Sequence, residues 1–148
     1  MDLVIAKLTP ADYPLFEELL GVYKEAFGLR DPVWPPPAYL EHLLNNPTMT
    51  FMVAIYRQKV IGGLTAYTLP SVYHQASEVY LYDLAVRNEW QRRGVGTSLL
   101  QQLIDYSTKL GIKEIFVQAD STDSHAIDFY KRNGGIPENV IHFSFHMR

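Results

Sequence analysis

Two arginines and two glycines stand directly before a stretch of helical periodicity, in the sequence QRRGVGTSLL at residues 91–100. The first turn of a helix has backbone N–H groups without intrahelical partners, and together with the helix dipole these groups favour an anion. Gly94 and Gly96 would let an oxyanion approach the backbone closely, while Arg92 and Arg93 would add positive charge. The stretch therefore indicates a phosphate or pyrophosphate site. A tight turn with solvated arginines explains the same residues and stays open at this point.

The spacing of this turn excludes two well-known phosphate-binding motifs. The pattern GxxxxGK[ST] is absent, and the pattern GxGxxG fails because Leu99 stands where the third glycine belongs. The turn is therefore neither a Walker P-loop nor a dinucleotide fingerprint.

A carboxylate interrupts an otherwise apolar strand, EVYLYDLAV at residues 78–86, shortly before the glycine turn. Burial would raise the pKa of Asp83, and a carboxylate beside an incoming amine can accept its proton. Asp83 is therefore the candidate general base. Two other roles remain open for it: a hydrogen bond to a neighbouring strand or loop, and electrostatic binding of a cationic substrate.

Further carboxylates are predicted at the ends of strands and helices, where they could receive a polycationic substrate. Simple solvation of these charges is the alternative. The candidate substrate contacts are Glu78, Tyr82, Asp120 and Asp123.

Cysteine is absent from the chain, which excludes disulfides, thiolate metal sites and a cysteine that carries an acyl group. His142 and His146 share a face of a predicted strand, but two histidines without a third ligand make a weak metal site. We therefore expect no metal, and we expect acyl chemistry to proceed by direct attack of a bound amine.

The elements that must position these residues form an α/β fold with a mixed sheet and about four helices. Thr9 is predicted to cap the first helix, with Pro10 at its first position, and Gly62 and Gly63 indicate a bulge in a strand. Strands are predicted at 2–8, 50–56, 60–69, 78–86, 112–119 and 140–147, and helices after residue 9, at 39–44, at 94–110 and, with a capped start and a glycine stop, within 120–135.

The 148 residues are 47% apolar and 20% charged, which is typical of one soluble domain spanning 1–148. The net charge of −3 and the lack of a basic stripe argue against nucleic acid as a partner. No apolar stretch approaches the roughly 20 residues that cross a bilayer, and the first residues lack a signal-peptide pattern. We therefore expect a cytoplasmic protein without a membrane partner.

Three segments in this order and spacing resemble the acetyl-CoA-binding core of the GNAT N-acetyltransferase superfamily. They are the strand YLYDLAV, the turn QRRGVGT, which fits Q/R-x-x-G-x-G/A, and AIDFYKRNGG about 30 residues later. Shorter segments, LTAYTLP, VQAD and VIHF, are most similar to the class I aminoglycoside 3-N-acetyltransferases. The resemblance implies acetyl-CoA as co-substrate and an aminoglycoside amine as acceptor, with antibiotic resistance as the consequence.

The resemblance also assigns roles to individual residues. The coenzyme pyrophosphate would lie on the amides of Arg92, Arg93, Gly94, Val95, Gly96 and Thr97, and the pantetheine arm would pair with the backbone of Leu84, Ala85 and Val86. Tyr130 occupies the place of the tyrosine that protonates the departing thiolate. Asp123 stands where many relatives have Asn, and KRNGGI replaces the commoner KLGF, so that the geometry after Tyr130 departs from the family pattern.

Two alternatives to an aminoglycoside acetyltransferase remain. The acceptor could be another small polyamine or a peptide amine, or the chain could be a non-catalytic module that binds acyl-CoA. A homodimer formed through the last strands is a further expectation.

Overall fold

The computed structural model describes residues 1–148 and divides into two compact units, Met1–Gln118 and Ala119–Arg148. The first unit contains the sheet and three helices, and the second contains one helix followed by a segment without regular secondary structure. The predicted mixed α/β class with four helices is confirmed. The assignment of the whole chain to one domain stays a prediction.

A five-stranded sheet forms the first unit, and its strands lie side by side in chain order. Neighbouring strands are antiparallel except for the last pair, which is parallel. A parallel pair needs a long crossover, which the glycine turn and the following helix supply. The strands are β1 Val4–Lys7, β2 Met49–Tyr56, β3 Lys59–Pro70, β4 Ser77–Val86 and β5 Ile115–Val117.

Four α-helices and one short 3-10 helix, Asn88–Trp90, accompany the sheet. The bounds of the second, third and fourth α-helices agree with the predicted helices to within a few residues, whereas the 3-10 helix was not predicted. No helix combines the length and the apolar composition that crossing a membrane requires. The α-helices are α1 Tyr13–Ala26, α2 Pro37–Leu44, α3 Val95–Lys109 and α4 Ser124–Arg132.

The predicted cap of the first helix at Thr9, with Pro10 as its first residue, is wrong. The helix begins at Tyr13 after Asp12, with Pro14 in its first turn. Thr9 instead donates from its backbone N–H and its hydroxyl to the Asp12 carboxylate, at 2.7 and 3.0 Å. Because these bonds close a separate turn before the helix, the Thr-Pro pair marks that turn and not the helix start.

Gly62 and Gly63 let helices approach both faces of the sheet closely. A Cβ at Gly62 would lie 3.2 Å from Val95 and 3.3 Å from Leu99, both on α3, whereas a Cβ at Gly63 would overlap with Leu19 of α1. Neighbouring strand residues point to opposite sides of a sheet, so the two helices cover opposite faces, which we call the α1 face and the α3 face. Fully buried helix side chains include Phe16, Leu19, Val22, Val95, Leu99 and Leu103.

Two bulges interrupt the pairing of β3 with its neighbours. Opposite β2, the pairing skips Ile61, which lies directly before the predicted bulge at Gly62 and Gly63. Opposite β4, it skips Tyr82 of β4, which the sequence did not indicate. The second bulge decides which side chains of β4 share a face.

The second unit contains α4, whose predicted capped start is confirmed, because Asp123 accepts a hydrogen bond from the Ala126 N–H at 3.1 Å. The strand predicted at 140–147 is wrong, since residues 134–148 are exposed and have no regular secondary structure. A strand needs a partner for its backbone hydrogen bonds, and the five-stranded sheet does not include this segment. Its alternating apolar side chains are 75% or more exposed: Ile141, Phe143, Phe145 and Met147.

Candidate active site

The turn between β4 and α3 has an unusual backbone shape. Arg92 and Gly94 both adopt left-handed conformations, with φ of 61° and 82°. Gly94 takes the N-cap position, α3 begins at Val95, and the Ser98 N–H donates to the Gly94 carbonyl at 3.0 Å. A side chain at position 94 would be strained in this conformation, which explains the glycine.

The N-terminus of α3 is free of the chain's own carboxylates. Its cap makes no side-chain hydrogen bond, and its first turn contains no acidic residue. Residues 91–94 are exposed, and the Arg93 guanidinium lies over the Trp90 ring, 5.1 Å from the centroid. Unpartnered N–H groups, the helix dipole and two guanidinium groups therefore leave a positive potential open to solvent. This arrangement fits a pyrophosphate.

The second half of β4 has an edge without a strand partner. β4 pairs with β3 as far as Val86, but with β5 only over Val79–Leu81. The backbone of residues 84–86 therefore has no strand partner on the side away from β3, although the Val86 carbonyl accepts a hydrogen bond from the Gln91 side chain at 3.0 Å. An extended ligand that carries amide groups can add to such an edge as an extra strand. Because the edge leads directly into the glycine turn, one ligand with an amide-bearing arm and a pyrophosphate fits both.

The bulge at Tyr82 brings the polar side chains of β4 onto one face. Thr65, Tyr67 and Leu69 alternate along β3 with Gly63 and therefore lie on the α1 face. Paired residues of neighbouring strands point to the same side, so their partners on β4 lie there too. Without the extra residue, position 83 would point to the opposite side from position 78. The β4 partners on the α1 face are Glu78, Tyr80 and Asp83.

Asp83 lies half-buried in the middle of this face. Burial raises the pKa of its carboxyl above the ordinary value, and a hydrogen bond with the Thr65 side chain acts in the opposite direction. Thr65 of β3 is therefore the candidate partner for the bond to a neighbouring strand, one of the roles left open by the sequence. A poorly hydrated carboxylate with a raised pKa is also a better proton acceptor than a solvated one.

Four aromatic rings in contact with one another, which we call the tyrosine cluster, extend from the neighbourhood of Asp83 to β5: Tyr67, Tyr80, Tyr82 and Phe116. The ring of Tyr82 meets those of Tyr67 and Tyr80 edge-on at 5.6 Å, and Tyr80 stacks on Phe116 at 4.7 Å. The pKa values of Tyr67 and Tyr80 are raised, first by burial and then by the nearby Asp83 charge. Tyr82 itself is 59% exposed, so this cluster offers a ring to solvent beside a carboxylate.

Only Tyr82 of this cluster was predicted from the sequence. The alternation of Tyr80 with Tyr82 in YLYDLAV was a signal for a shared aromatic face. Tyr67 and Phe116 come from other strands, and their proximity depends on strand register, which no local pattern specifies.

The second unit contains three predicted site residues, two of which have local structural roles. Asp120 Oδ1 accepts hydrogen bonds from the Thr122 N–H and hydroxyl, at 2.9 and 2.7 Å, and these bonds lower the pKa of Asp120. Asp123 caps α4. Tyr130 lies partly buried on α4, with its ring 5.1 Å from that of Phe129. Their roles in binding or catalysis stay predictions.

Residues 16–135 match the family described as the acetyltransferase (GNAT) family, and the chain belongs to this family. The matched range contains β4, the glycine turn, α3 and α4. Acetyltransferases of this family use acetyl-CoA as the acetyl donor.

Two solved structures are similar to this chain over nearly its full length. An aminoglycoside acetyltransferase from an uncultured soil metagenomic sample, meta-AAC0020, is 35% identical, with 99% of this chain and 97% of that chain covered and a TM-score of 0.96; one of its structures contains sisomicin. A second soil metagenomic aminoglycoside acetyltransferase, HMB0005, is 34% identical, with both chains fully covered and a TM-score of 0.95.

A curated relative has a different acceptor. The [Ribosomal protein bS18]-alanine N-acetyltransferase of Escherichia coli (strain K12) is 30% identical over 73 residues, which are 49% of this chain and 48% of the relative. The chain thus spans about half the length of the curated relatives it matches.

Proposed function

We propose that this protein is an N-acetyltransferase that transfers the acetyl group of acetyl-CoA to an amine of an aminoglycoside. The observation that carries the proposal is the position of half-buried Asp83 on β4, directly before the open edge that leads to the uncapped N-terminus of α3. The 35% identity to an aminoglycoside acetyltransferase over nearly the whole chain supports the choice of acceptor.

The coenzyme would be held by main-chain groups. Its pyrophosphate would bind the amides of residues 92–97, with charge from Arg92 and Arg93, and its pantetheine arm would add to the edge at residues 84–86. When bound, the coenzyme supplies the acetyl group as a thioester.

Asp83 would act on the amine that receives the acetyl group. An alkylammonium has a pKa of about 10 and is unreactive as a nucleophile at neutral pH. Asp83 would accept the proton of the bound amine, which then attacks directly, since the chain has no cysteine to carry the acetyl group. Tyr130 would donate a proton to the departing thiolate, a role that its place in the family pattern supports.

The acceptor would be a polycationic saccharide. Glu78 and Asp83 offer negative charge on the α1 face, and exposed Tyr82 offers a ring against which the apolar side of a sugar can pack. Asp120 and Asp123 would add long-range attraction, because both side chains are exposed while they hold their local hydrogen bonds.

Two finer assignments belong to the same proposal. The 3-amino group is the proposed position of acetylation, supported by the short segments that resemble 3-N-acetyltransferases, and resistance to the drug is the proposed consequence. NMR of the purified product identifies the acetylated nitrogen. An acetyl group on another nitrogen would overturn the assignment to the 3-amino group and would leave the aminoglycoside as the proposed acceptor.

Steady-state turnover tests the proposal. With acetyl-CoA and sisomicin or gentamicin, we expect release of free coenzyme A thiol and an acetylated drug in the mass spectrum. No turnover across a panel of such drugs would remove the aminoglycoside assignment.

A peptide amine is the second candidate acceptor, and the similarity to the bS18-alanine enzyme over 73 residues favours it. Turnover of a peptide with an N-terminal alanine, compared with turnover of sisomicin at equal concentrations, separates the two. We expect a higher kcat/KM for the drug.

The exposed segment 140–147 supports a homodimer, because its alternating apolar side chains have the pattern of a strand that is buried on one face. Light scattering at micromolar concentration would give twice the chain mass. The cytoplasm is the proposed location, where both acetyl-CoA and the target of aminoglycosides are present.

A further inference from the structure

A buried hydroxyl pair connects α1 to the sheet below Asp83. The Tyr23 hydroxyl and the Thr65 hydroxyl lie 2.7 Å apart, and both residues are buried, with 7% and 5% of their surfaces exposed. Burying two hydroxyl groups is unfavourable unless each is hydrogen-bonded. Their contact therefore supplies the hydrogen bond that two buried hydroxyl groups require and that two apolar side chains would not require.

The chemistry of Asp83 fixes the direction of hydrogen bonding. Thr65 pairs with Asp83 across β3 and β4, so their side chains are neighbours on the α1 face, and hydrogen bonding from Thr65 lowers the pKa of Asp83 against the effect of burial. An ionised carboxylate only accepts hydrogen bonds, so Thr65 donates to Asp83. The single hydroxyl proton of Thr65 is then used, and its oxygen must accept from Tyr23. The three groups form a directed chain from Tyr23 through Thr65 to Asp83.

We propose that Thr65 is a positioning residue for Asp83, which it orients and keeps ionised, and that Tyr23 fixes the hydroxyl of Thr65 in the donating orientation. This inference rests on the proposed function, in which Asp83 accepts a proton from the amine. The chain of hydroxyl groups explains how a carboxylate can be half-buried and still remain available as a base near neutral pH.

The titration of Asp83 can be observed separately from that of the tyrosine side chains around it. Tyr23 faces it from α1, Tyr67 from β3 and Tyr80 from β4, and the pKa of each tyrosine is raised by burial and by the Asp83 charge. These hydroxyl groups therefore stay protonated through the range in which a carboxyl group titrates. Glu78 and exposed Tyr82 are the remaining titratable groups of β4 on this face.

Replacement of Thr65 by Val removes the bond that favours the charged form of Asp83. The pKa of Asp83 then rises further. The acid limb of the kcat/KM profile, which is the pH range over which kcat/KM falls as Asp83 becomes protonated, therefore moves to higher pH. At a pH below the moved limb, we expect a loss of about tenfold in kcat/KM, which is recovered at higher pH. Thr65→Ser retains the hydroxyl and should restore the wild-type limb. Tyr23→Phe should move the limb in the same direction by a smaller amount.

A purely structural role for the hydroxyl pair predicts a different result. It would lower stability, or lower kcat at every pH, without moving the limb. The double variant Tyr23→Phe with Thr65→Val guards against misfolding, because replacing both partners by apolar groups of similar shape is nearly neutral for stability. Thr50→Val is the matched control: Thr50 is a buried threonine on β2 whose partner Ala66 lies on the α3 face, so its replacement should leave the limb in place.

A carbon-13 NMR titration of the Asp83 carboxyl in the free protein tests the proposal without any turnover. We expect a raised midpoint in Thr65→Val and in the double variant, and the wild-type midpoint in Thr65→Ser and Thr50→Val. An unchanged midpoint in both Thr65→Val and the double variant would overturn the positioning role. Full activity of Asp83→Asn would instead overturn the proposed function, which makes the two failures distinguishable.

Discussion

The coenzyme half and the acceptor half of the candidate site are built in different ways. The proposed coenzyme half consists of main-chain groups from two short runs of residues, 84–86 and 92–97. The proposed acceptor half consists of side chains from α1, β3, β4 and β5, collected on the α1 face by strand pairing and helix packing. Binding through main-chain groups is compatible with many different side chains at those positions, whereas the acceptor half depends on particular side chains. Substitutions should therefore separate binding of the coenzyme from transfer of the acetyl group.

Asp83→Asn should have the largest effect. The amide cannot accept the proton of the amine, and loss of a general base costs about 100- to 10,000-fold in rate. In the wild type, kcat/KM should fall as the pH falls through the raised pKa of Asp83, because the base becomes protonated. The variant should lack this acid limb and should bind acetyl-CoA as tightly as the wild type. Stopped-flow rates and calorimetry check the two expectations separately.

Gly96→Trp should give the reverse pattern. Bulk in the first turn of α3 would block the pyrophosphate from the backbone N–H groups, and loss of two charge-assisted hydrogen bonds weakens binding by about 100-fold or more. Calorimetry with acetyl-CoA measures the change in Kd. Gln101→Trp, at an exposed position farther along the same helix, is the control and should bind normally. Equal affinity of the Gly96 variant and the control for acetyl-CoA would show that the coenzyme binds at another surface.

Asp123 should show the smallest effect, and two variants separate its roles. Asp123→Ala removes the cap of α4 and should lower the free energy of unfolding by about 1 kcal/mol. Asp123→Asn keeps a capping oxygen but removes the charge, so stability should be retained while KM for a polycationic drug rises up to about threefold. Thermal unfolding and steady-state kinetics provide the two readouts. An unchanged KM in the Asn variant would leave Asp123 as a helix cap alone.

The contrast between elements that are local in sequence and side chains that strand pairing brings together also explains what the sequence could predict. The glycine turn and α3 follow from local signals, and the structure places the helix within one residue of its predicted bounds. The Thr9 cap was wrong because a competing turn to Asp12 uses the same hydroxyl, and the strand at 140–147 was wrong because alternation alone supplies no partner. The bulge at Tyr82 and the contact of Tyr23 with Thr65, 42 residues apart, depend on register and packing. No local pattern carries that information.

Amide NMR during titration with acetyl-CoA shows directly whether the glycine turn and the strand edge hold the coenzyme, because it reports on individual backbone N–H groups. We expect saturable shifts concentrated at residues 84–86 and 92–97. If acetyl-CoA at millimolar concentration leaves those amides unchanged, or shifts amides elsewhere in their place, then the glycine turn and the strand edge do not hold the coenzyme.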